Sequence, residues 1–216
     1  MILYGYPLSS ASYRVRIALN LKGLEAAAVT KRLRQGEHRQ ADFLQLNPQG
    51  FVPALGLEDG VVLTQSIAII EYLEEMHPHP PLLPQAPAAR ARVRSLSLLI
   101  ACDVHPLNNL RVLQYLEARL GLDQSARDAW YHHWVHAGFA ALEQTLARDS
   151  PAGRFCHGGT PSMADVCLVP QVFNARRFAV DLNPYPRIVA IDAACREIPA
   201  FAAAAPERQA PERQAP

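Results

Sequence analysis

The chain has 216 residues, half of them hydrophobic, and a formal net charge of +1 at pH 7. This length allows one or two domains with a substantial core. Because the charge is near zero and the basic residues form no stripe, we expect neither a nucleic acid nor an anionic membrane as main partner. The apolar runs are too short for a membrane span, and residues 1–4 lack the basic start of a signal peptide. These features predict a cytoplasmic protein.

The cysteines and histidines show no pattern typical of a metal site. The four cysteines are scattered without a Cys-x-x-Cys pair, which favours free thiols in a reducing compartment. His132, His133 and His136 lie close together, but no acidic residue has the spacing of a zinc-protease motif. We therefore predict no metal.

The first 80 residues alternate strand-like and helix-like patterns. A short apolar strand and a Gly5-Tyr6-Pro7 break precede a helical pattern that stops at Gly23. Further predicted elements are a weak strand at 26–30, a short helix at 41–46, a hairpin with strands at 52–57 and 61–63, and an amphipathic helix at 67–75. A helical crossover makes the first strand pair parallel, whereas a hairpin is antiparallel. The order therefore predicts a thioredoxin-like α/β domain with a mixed sheet.

Three serines, Ser9, Ser10 and Ser12, crowd the start of the first predicted helix. The N–H groups at such a terminus have no intrahelical partners and favour a bound anion. Hydroxyls beside it would lower the pKa of a thiol by hydrogen-bonding its thiolate. One serine as a helix cap and the others as turn residues is the more ordinary interpretation, and the stretch by itself leaves both open.

The second half of the chain is almost entirely helical in pattern. The proline-rich segment 78–84 marks the domain boundary. Helices are predicted at 88–104, 110–120, 124–148, 163–175 and 185–194. Ser162 and Asp165 have the form of a capping box before the most apolar of these helices. We assign residues 1–80 to the α/β domain, 81–87 to a linker, 88–205 to an all-α domain, and the Pro-Glu-Arg-Gln-Ala repeats of 206–216 to a disordered tail.

The segment from Ser9 to Leu19 resembles the Ser-Ser-Cys-Ser-aromatic-Arg-Val-Arg-Ile-Ala-Leu signature of zeta-class glutathione transferases. That family includes the maleylacetoacetate and maleylpyruvate isomerases. Further similar segments lie across residues 1–206, among them 46–48, 52–55, 65–75, 165–171 and 177–186. The resemblance implies the glutathione transferase fold, a thioredoxin-like domain followed by an all-α domain, and it implies a homodimer.

The resemblance also implies a binding site for glutathione. Ser9 and Ser10 would be the catalytic residues: Ser9 would hydrogen-bond the glutathione sulfur, and Ser10 would be a stronger supporting donor than Ser12. The backbone of Val52, at a cis-proline turn with Pro53, would pair with the peptide-like part of glutathione. Further implied glutathione contacts are Gln65 and Ser66 at the γ-glutamyl end, His38 and Gln49 at the glycyl end, and Asp103, His105 and Asn109 over the active site.

Two arginines and one aspartate have implied roles of a different kind. Arg111 and Arg177 match family positions that bind the carboxylates of the maleyl substrate, which suits the bidentate geometry of arginine. Asp103 would reach glutathione on the neighbouring subunit of a dimer. Polar residues at a helix break are also often caps, so a structural role for this segment stays open.

The activity implied is glutathione-dependent cis–trans isomerisation of maleylacetoacetate or maleylpyruvate to the fumaryl isomer, in the catabolism of aromatic compounds. The thiolate would add to the double bond, the resulting single bond would rotate, and elimination would return glutathione unchanged. Leu8 and Ala11 stand where members of the family commonly have arginine and cysteine. A transferase that conjugates or dehalogenates small electrophiles, and a non-enzymatic binding module, therefore remain alternatives.

Overall fold

The computed structural model describes residues 1–148 and 152–209. The described residues form two compact units, one made of residues 1–81 with residues 197–209 and the other of residues 82–196. Within the described residues, no helix is long and apolar enough to cross a membrane.

The first unit is built on a mixed sheet of four strands in the order β2-β1-β3-β4. The strands are β1 (Ile2–Gly5), β2 (Ala27–Thr30), β3 (Ala54–Gly56) and β4 (Val62–Thr64). β1 pairs parallel with β2 and antiparallel with β3, and β3 and β4 form a hairpin. These pairings confirm the predicted mixed sheet. β3 begins later than predicted because residues 52 and 53 form a turn, in which the Val52–Pro53 bond is cis as the resemblance implies.

Among the described residues, four α-helices belong to this unit: α1 (Ser10–Leu21), α2 (Ala41–Leu46), α3 (Ser66–Met76) and, from near the end of the chain, α9 (Pro199–Ala204). Apolar side chains of α1 and α3 are fully buried, including Val15, Ile17 and Ile69. α9 packs against α1. The sequence assigned residues 197–205 to the helical domain, and the structure instead groups them with the first unit because α9 buries Phe201 there.

The tail was predicted to be disordered from Pro206, and its first residues are ordered instead. Pro206–Arg208 forms a 3-10 turn in which Pro206 is buried. The side-chain amide of Gln209 donates to the carbonyl oxygens of Ala203 and Ala205, which holds the turn against the end of α9. The repeats at 210–216 lie outside the described residues.

The second unit is helical, with α4 (Pro87–Leu98), α5 (Leu110–Leu120), α6 (Gln124–Arg148), α7 (Met163–Arg177) and α8 (Pro186–Arg196). α7 is its central element, because side chains on all of its faces are buried. The long helix predicted at 88–104 is α4 followed by a π-helical turn at Leu99–Val104. Leu82 and Leu83, predicted in the linker, are buried, and Leu82 accepts a hydrogen bond from Met163.

Candidate active site

Ser9 is the N-cap of α1, as the ordinary interpretation of the serines requires. Its Oγ accepts a hydrogen bond from the Ser12 N–H at 3.2 Å, and its own N–H donates to the Tyr6 carbonyl oxygen at 3.1 Å. Accepting this bond uses a lone pair of the hydroxyl and leaves its proton for another partner. Ser9 is partly exposed, so a ligand at the helix terminus can receive that proton. The capping role and the proposed ligand role are therefore compatible.

Ser10 and Ser12 are placed differently from Ser9. Ser10 is 3 % exposed and Ser12 is completely buried. The Ser12 hydroxyl accepts a hydrogen bond from the Tyr6 N–H at 3.3 Å, on the protein side of the turn. Full burial argues against the predicted contact between Ser12 and glutathione, because no ligand reaches it without rearrangement. Ser12 supports the turn that carries Ser9.

The loop before β3 is organised by the side chain of Asn47, which is 2 % exposed. Its amide nitrogen donates to the Phe51 carbonyl at 2.8 Å, and its Oδ1 accepts from the Gln49 N–H at 3.1 Å. The loop ends at Val52 and Pro53. No hydrogen bond joins the Val52 peptide groups to any other part of residues 1–148 and 152–209. This segment therefore offers a donor and an acceptor to a peptide-like ligand.

A second helix terminus lies at the start of α3. Gln65 has a left-handed backbone with φ 68°, which is costly for a residue other than glycine, and its side-chain amide donates to Oε1 of Gln49 at 2.8 Å. Ser66 begins the helix, and its Oγ accepts from Nη1 of the buried Arg14 at 3.3 Å. The helix terminus and the guanidinium both favour a carboxylate at this position. Three of the predicted contacts are thus brought together here.

His38 lies in a 3-10 turn at Glu37–Arg39. Gly50 approaches it so closely that a β-carbon there would be 3.0 Å from the His38 carbonyl oxygen, and its φ is 62°. His38 therefore lies beside the loop that contains Gln49. Burial, and secondarily the charge of Arg39, lowers the pKa of His38 below its ordinary value of 6.5. The imidazole is neutral at pH 7 and suited to hydrogen bonding rather than ion pairing.

In the helical unit, four predicted residues lie within a short segment after α4. Asp103 is exposed on the π-helical turn, and His105 is the residue at which that turn ends. Asn109 caps α5, because its Oδ1 accepts from the Arg111 N–H at 3.1 Å. Asn109 therefore has the structural role of a helix cap, which the sequence had left open. The side chain of Arg111, on the first turn of α5, is exposed.

Arg177 is the last residue of α7 and is exposed. Its Nη1 donates to Oδ1 of Asn174 at 3.1 Å, and its guanidinium carbon lies 5.4 Å from the centre of the Phe178 ring. Phe178 stacks on Tyr131 with 3.9 Å between ring centres. These contacts hold a cation at the end of α7, with its charged group on the surface of the unit.

Two of the three histidines of α6, His132 and His136, have hydrogen-bond partners within the helical unit. Nε2 of His132 lies 2.7 Å from the Phe178 carbonyl oxygen, and Nδ1 of His136 lies 2.7 Å from the Tyr185 hydroxyl. Across the described residues, no group of three His, Cys, Asp or Glu side chains is arranged to hold a metal ion.

Two arginines of α1, Arg14 and Arg16, belong to this region although sequence patterns did not identify them as functional residues. Arg14 is 1 % exposed and contacts Ser66, and Arg16 contacts the turn before Ser9. Both lie among buried residues of α1, such as Val15 and Ile17. A cation on an apolar helix face is the signal that could have found them, because a buried charge needs specific partners.

Comparisons with known proteins agree with this geometry. The family model "Glutathione S-transferase, N-terminal domain" matches residues 8–76, and the corresponding C-terminal model matches residues 124–194. A probable maleylacetoacetate isomerase of Vibrio cholerae is 50 % identical over 97 % of each chain.

Two solved structures have the same fold over almost the whole chain. One is a holo maleylpyruvate isomerase described as a bacterial glutathione transferase of the zeta class, with a TM-score of 0.95, 51 % identity, and coverage of 97 % of this chain and 98 % of the other. The other, from Methylobacterium extorquens AM1, is a maleylacetoacetate isomerase with bound malonate and glutathione. Its TM-score is 0.95 at 42 % identity, with the same coverage.

Proposed function

The chain belongs to the zeta class of the glutathione transferase family, and from that premise we propose that it is an enzyme that isomerises a maleyl keto acid, maleylacetoacetate or maleylpyruvate, to the fumaryl isomer with glutathione as cofactor. The observation that carries the proposal is the Ser9 hydroxyl, which caps α1 through its lone pair and keeps its proton for an anion at the helix terminus. The related chains named as these isomerases cover almost its full length.

The donors of the first unit fit glutathione, a peptide with a thiol and two carboxylates. Ser9 would donate to the sulfur, and the N-terminus of α1 would favour its thiolate form. The Val52 peptide groups would pair with the cysteinyl part. Ser66, with Arg14 behind it, would receive the carboxylate at the γ-glutamyl end. When bound, glutathione supplies a thiolate nucleophile for the maleyl double bond.

Other residues of this chain would complete the contacts. Gln65 and Gln49, already joined by a hydrogen bond, and His38 would contact the two ends of glutathione. In the helical unit, Arg111 and Arg177 would bind the carboxylates of the substrate, and Asp103, His105 and Asn109 would contribute polar groups. Ser10 would support Ser9 through its N–H at the first position of α1.

Leu8 favours a second candidate function. Its side chain packs against the apolar cluster that contains Tyr6, Phe43 and Val52, next to the turn that carries Ser9. An apolar wall here suits a substrate with no carboxylate at that position. A transferase that conjugates or dehalogenates small electrophiles would use the same Ser9 site and would consume glutathione.

We also propose that the enzyme works as a cytoplasmic homodimer. The related structure with bound malonate supports a small substrate that carries carboxylates. The near-neutral net charge of the chain argues against a nucleic-acid partner. Sedimentation of the purified protein tests the dimer.

The experiment for the activity follows each maleyl substrate with and without glutathione. We expect conversion to the fumaryl isomer that requires glutathione, and a loss of about a hundredfold in kcat/KM in Ser9→Ala, because a hydrogen bond to the developing thiolate is removed. Ser9→Thr keeps the hydroxyl and is the matched control. Tight glutathione binding with no conversion of either substrate would exclude the isomerase and favour the transferase.

A further inference from the structure

Arg16 is a cation surrounded by carbonyl oxygens. Its Nε donates to the Ala204 carbonyl at 3.0 Å, its Nη2 to the Pro7 carbonyl at 2.9 Å, and its Nη1 to the Tyr6 carbonyl at 3.4 Å. The Tyr13 ring lies beneath it, 5.2 Å from the guanidinium carbon. Burial lowers the pKa of Arg16 to about 10, so the group remains charged at pH 7. Burying a charged group among neutral partners costs free energy. The planar guanidinium of Arg16 binds three carbonyl oxygens at once, which an apolar side chain could not do.

Two of these three carbonyls belong to the turn that leads into Ser9. The Tyr6 carbonyl oxygen accepts from the Ser9 N–H as well as from Arg16. The Tyr6 N–H in turn donates to the Ser12 hydroxyl. Two side chains of α1 therefore hold the turn: Ser12 through the Tyr6 N–H and Arg16 through the Tyr6 and Pro7 carbonyls. Arg16 reaches back along α1 toward its N-terminus, which is the usual direction of a long side chain on a helix.

The third carbonyl links this turn to the end of the chain. Ala204 is the last residue of α9, and its carbonyl is one of those that a helix leaves without an intrahelical partner. Asn20, one turn after Arg16 on α1, donates to the Ala200 carbonyl of the same helix at 2.9 Å. α9 is thus held at two points, and only the Arg16 point also contacts the turn before Ser9.

We propose that Arg16 is a positioning residue for the thiolate site. It holds the Tyr6 and Pro7 carbonyl oxygens, the first of which also accepts from the Ser9 N–H, and thereby holds the Ser9 hydroxyl where the glutathione sulfur binds, with α9 as its second support. Without Arg16, the Pro7 and Tyr6 carbonyls each lose a donor, and the acceptor of the Ser9 N–H is held less firmly. A negative sulfur beside carbonyl oxygens that are held less firmly is less stable, so the bound thiol would ionise at higher pH. The inference rests on the proposed function of Ser9.

The experiment measures the pKa of glutathione bound to the full-length protein, from the ultraviolet absorbance of its thiolate across pH. Arg16→Gln is compared with Asn20→Ala, which removes the other α9 contact and leaves the turn before Ser9 untouched. Circular dichroism and thermal unfolding report the loss of stability in both variants. We expect Arg16→Gln to raise the pKa of the bound thiol by about one unit, a tenfold loss of thiolate near neutral pH, and Asn20→Ala to leave it unchanged.

Arg16→Lys keeps the positive charge but lacks the planar guanidinium that binds three carbonyl oxygens at once. We expect a rise in the pKa of the bound thiol in this variant too, and it carries the test if Arg16→Gln does not fold. A thiol pKa equal to that of the unmodified protein in Arg16→Lys and in any folded Arg16→Gln would overturn the positioning role and leave Arg16 a purely structural contact. If the unmodified protein itself binds no glutathione thiolate, the proposed function fails first, which is a distinguishable result.

Discussion

A single serine can cap a helix and bind a thiolate because the two roles use different parts of its hydroxyl. The Oγ of Ser9 accepts a hydrogen bond from the Ser12 N–H, and the hydroxyl proton of Ser9 remains to be donated to a ligand. Ser12 uses its hydroxyl inside the protein, where the Tyr6 N–H donates to it. Sequence spacing placed both serines at one helix start and could not separate them, because which hydroxyl faces outward depends on the conformation of the preceding turn.

His38 gives a prediction on pH dependence at the residue scale. Its pKa is lowered in the folded protein, chiefly by burial. The unfolded chain therefore binds a proton at His38 at a pH where the folded protein does not. The stability contributed by a neutral His38 is present above pH 6.5, its ordinary pKa, and is lost as pH falls through the lower folded value.

When the pH is lowered from 7 to 5, we expect His38→Gln to lose less thermal stability than the unmodified protein. The difference should develop between pH 6.5 and the lowered pKa of His38 in the folded protein. Unfolding temperatures measured across this range test the expectation. His133→Gln, at an exposed position on α6, is the matched control. Parallel curves for the unmodified protein and His38→Gln would contradict the assignment.

At the scale of elements, the approach of α6 to the π-helical turn depends on Gly138. A β-carbon at position 138 would overlap Cγ2 of Val104, which is 1 % exposed and lies on the turn that carries Asp103. We expect Gly138→Ala to destabilise the protein by about 2 kcal/mol.

Denaturant unfolding measures the effect of Gly138→Ala. Gly159→Ala is the control, because a β-carbon there meets nothing within 4 Å and its backbone is not left-handed. Equal stability of the two variants would show that α6 and the turn adjust without cost.

Asp165 holds the start of α7, as the capping-box pattern predicts. Its carboxylate accepts from the N–H groups of Cys156 and Ser162 and from the Ser162 hydroxyl, each at 2.8 Å. We expect Asp165→Ala to cost about 3 kcal/mol, because these buried donors lose their acceptor. Asp181→Ala, which removes an exposed aspartate bonded to one backbone N–H, should cost far less. Urea unfolding of both variants provides the comparison, and similar losses would refute the role of Asp165.

At the scale of the whole molecule, local patterns predicted most of the fold. The order of strands and helices up to residue 80 and the mixed sheet follow from periodicity and from the Pro and Gly breaks. α9 was missed because it is short and alanine-rich, and its place depends on Arg16 and Asn20 of a distant helix. The π-helical turn was missed for a similar reason, since packing against Gly138 accompanies it.

The residues expected to contact glutathione could be predicted from the sequence, whereas the arginines that support them could not. The resemblance to zeta-class glutathione transferases identified Ser9, Val52, Gln65 and Ser66. The structure adds the hydrogen bonds that orient Ser9 and Ser66. Arg14 contacts Ser66 and Arg16 contacts Ala204, and no spacing rule connects these distant positions. These two contacts follow from tertiary packing.

The measurement that most directly tests the central claim is the amount of glutathione left after many turnovers of a maleyl substrate. An isomerase returns glutathione at each turnover, so we predict complete conversion with substrate in large excess over glutathione and no loss of free thiol. Loss of one thiol for each substrate consumed would contradict this account and identify the protein as a conjugating transferase.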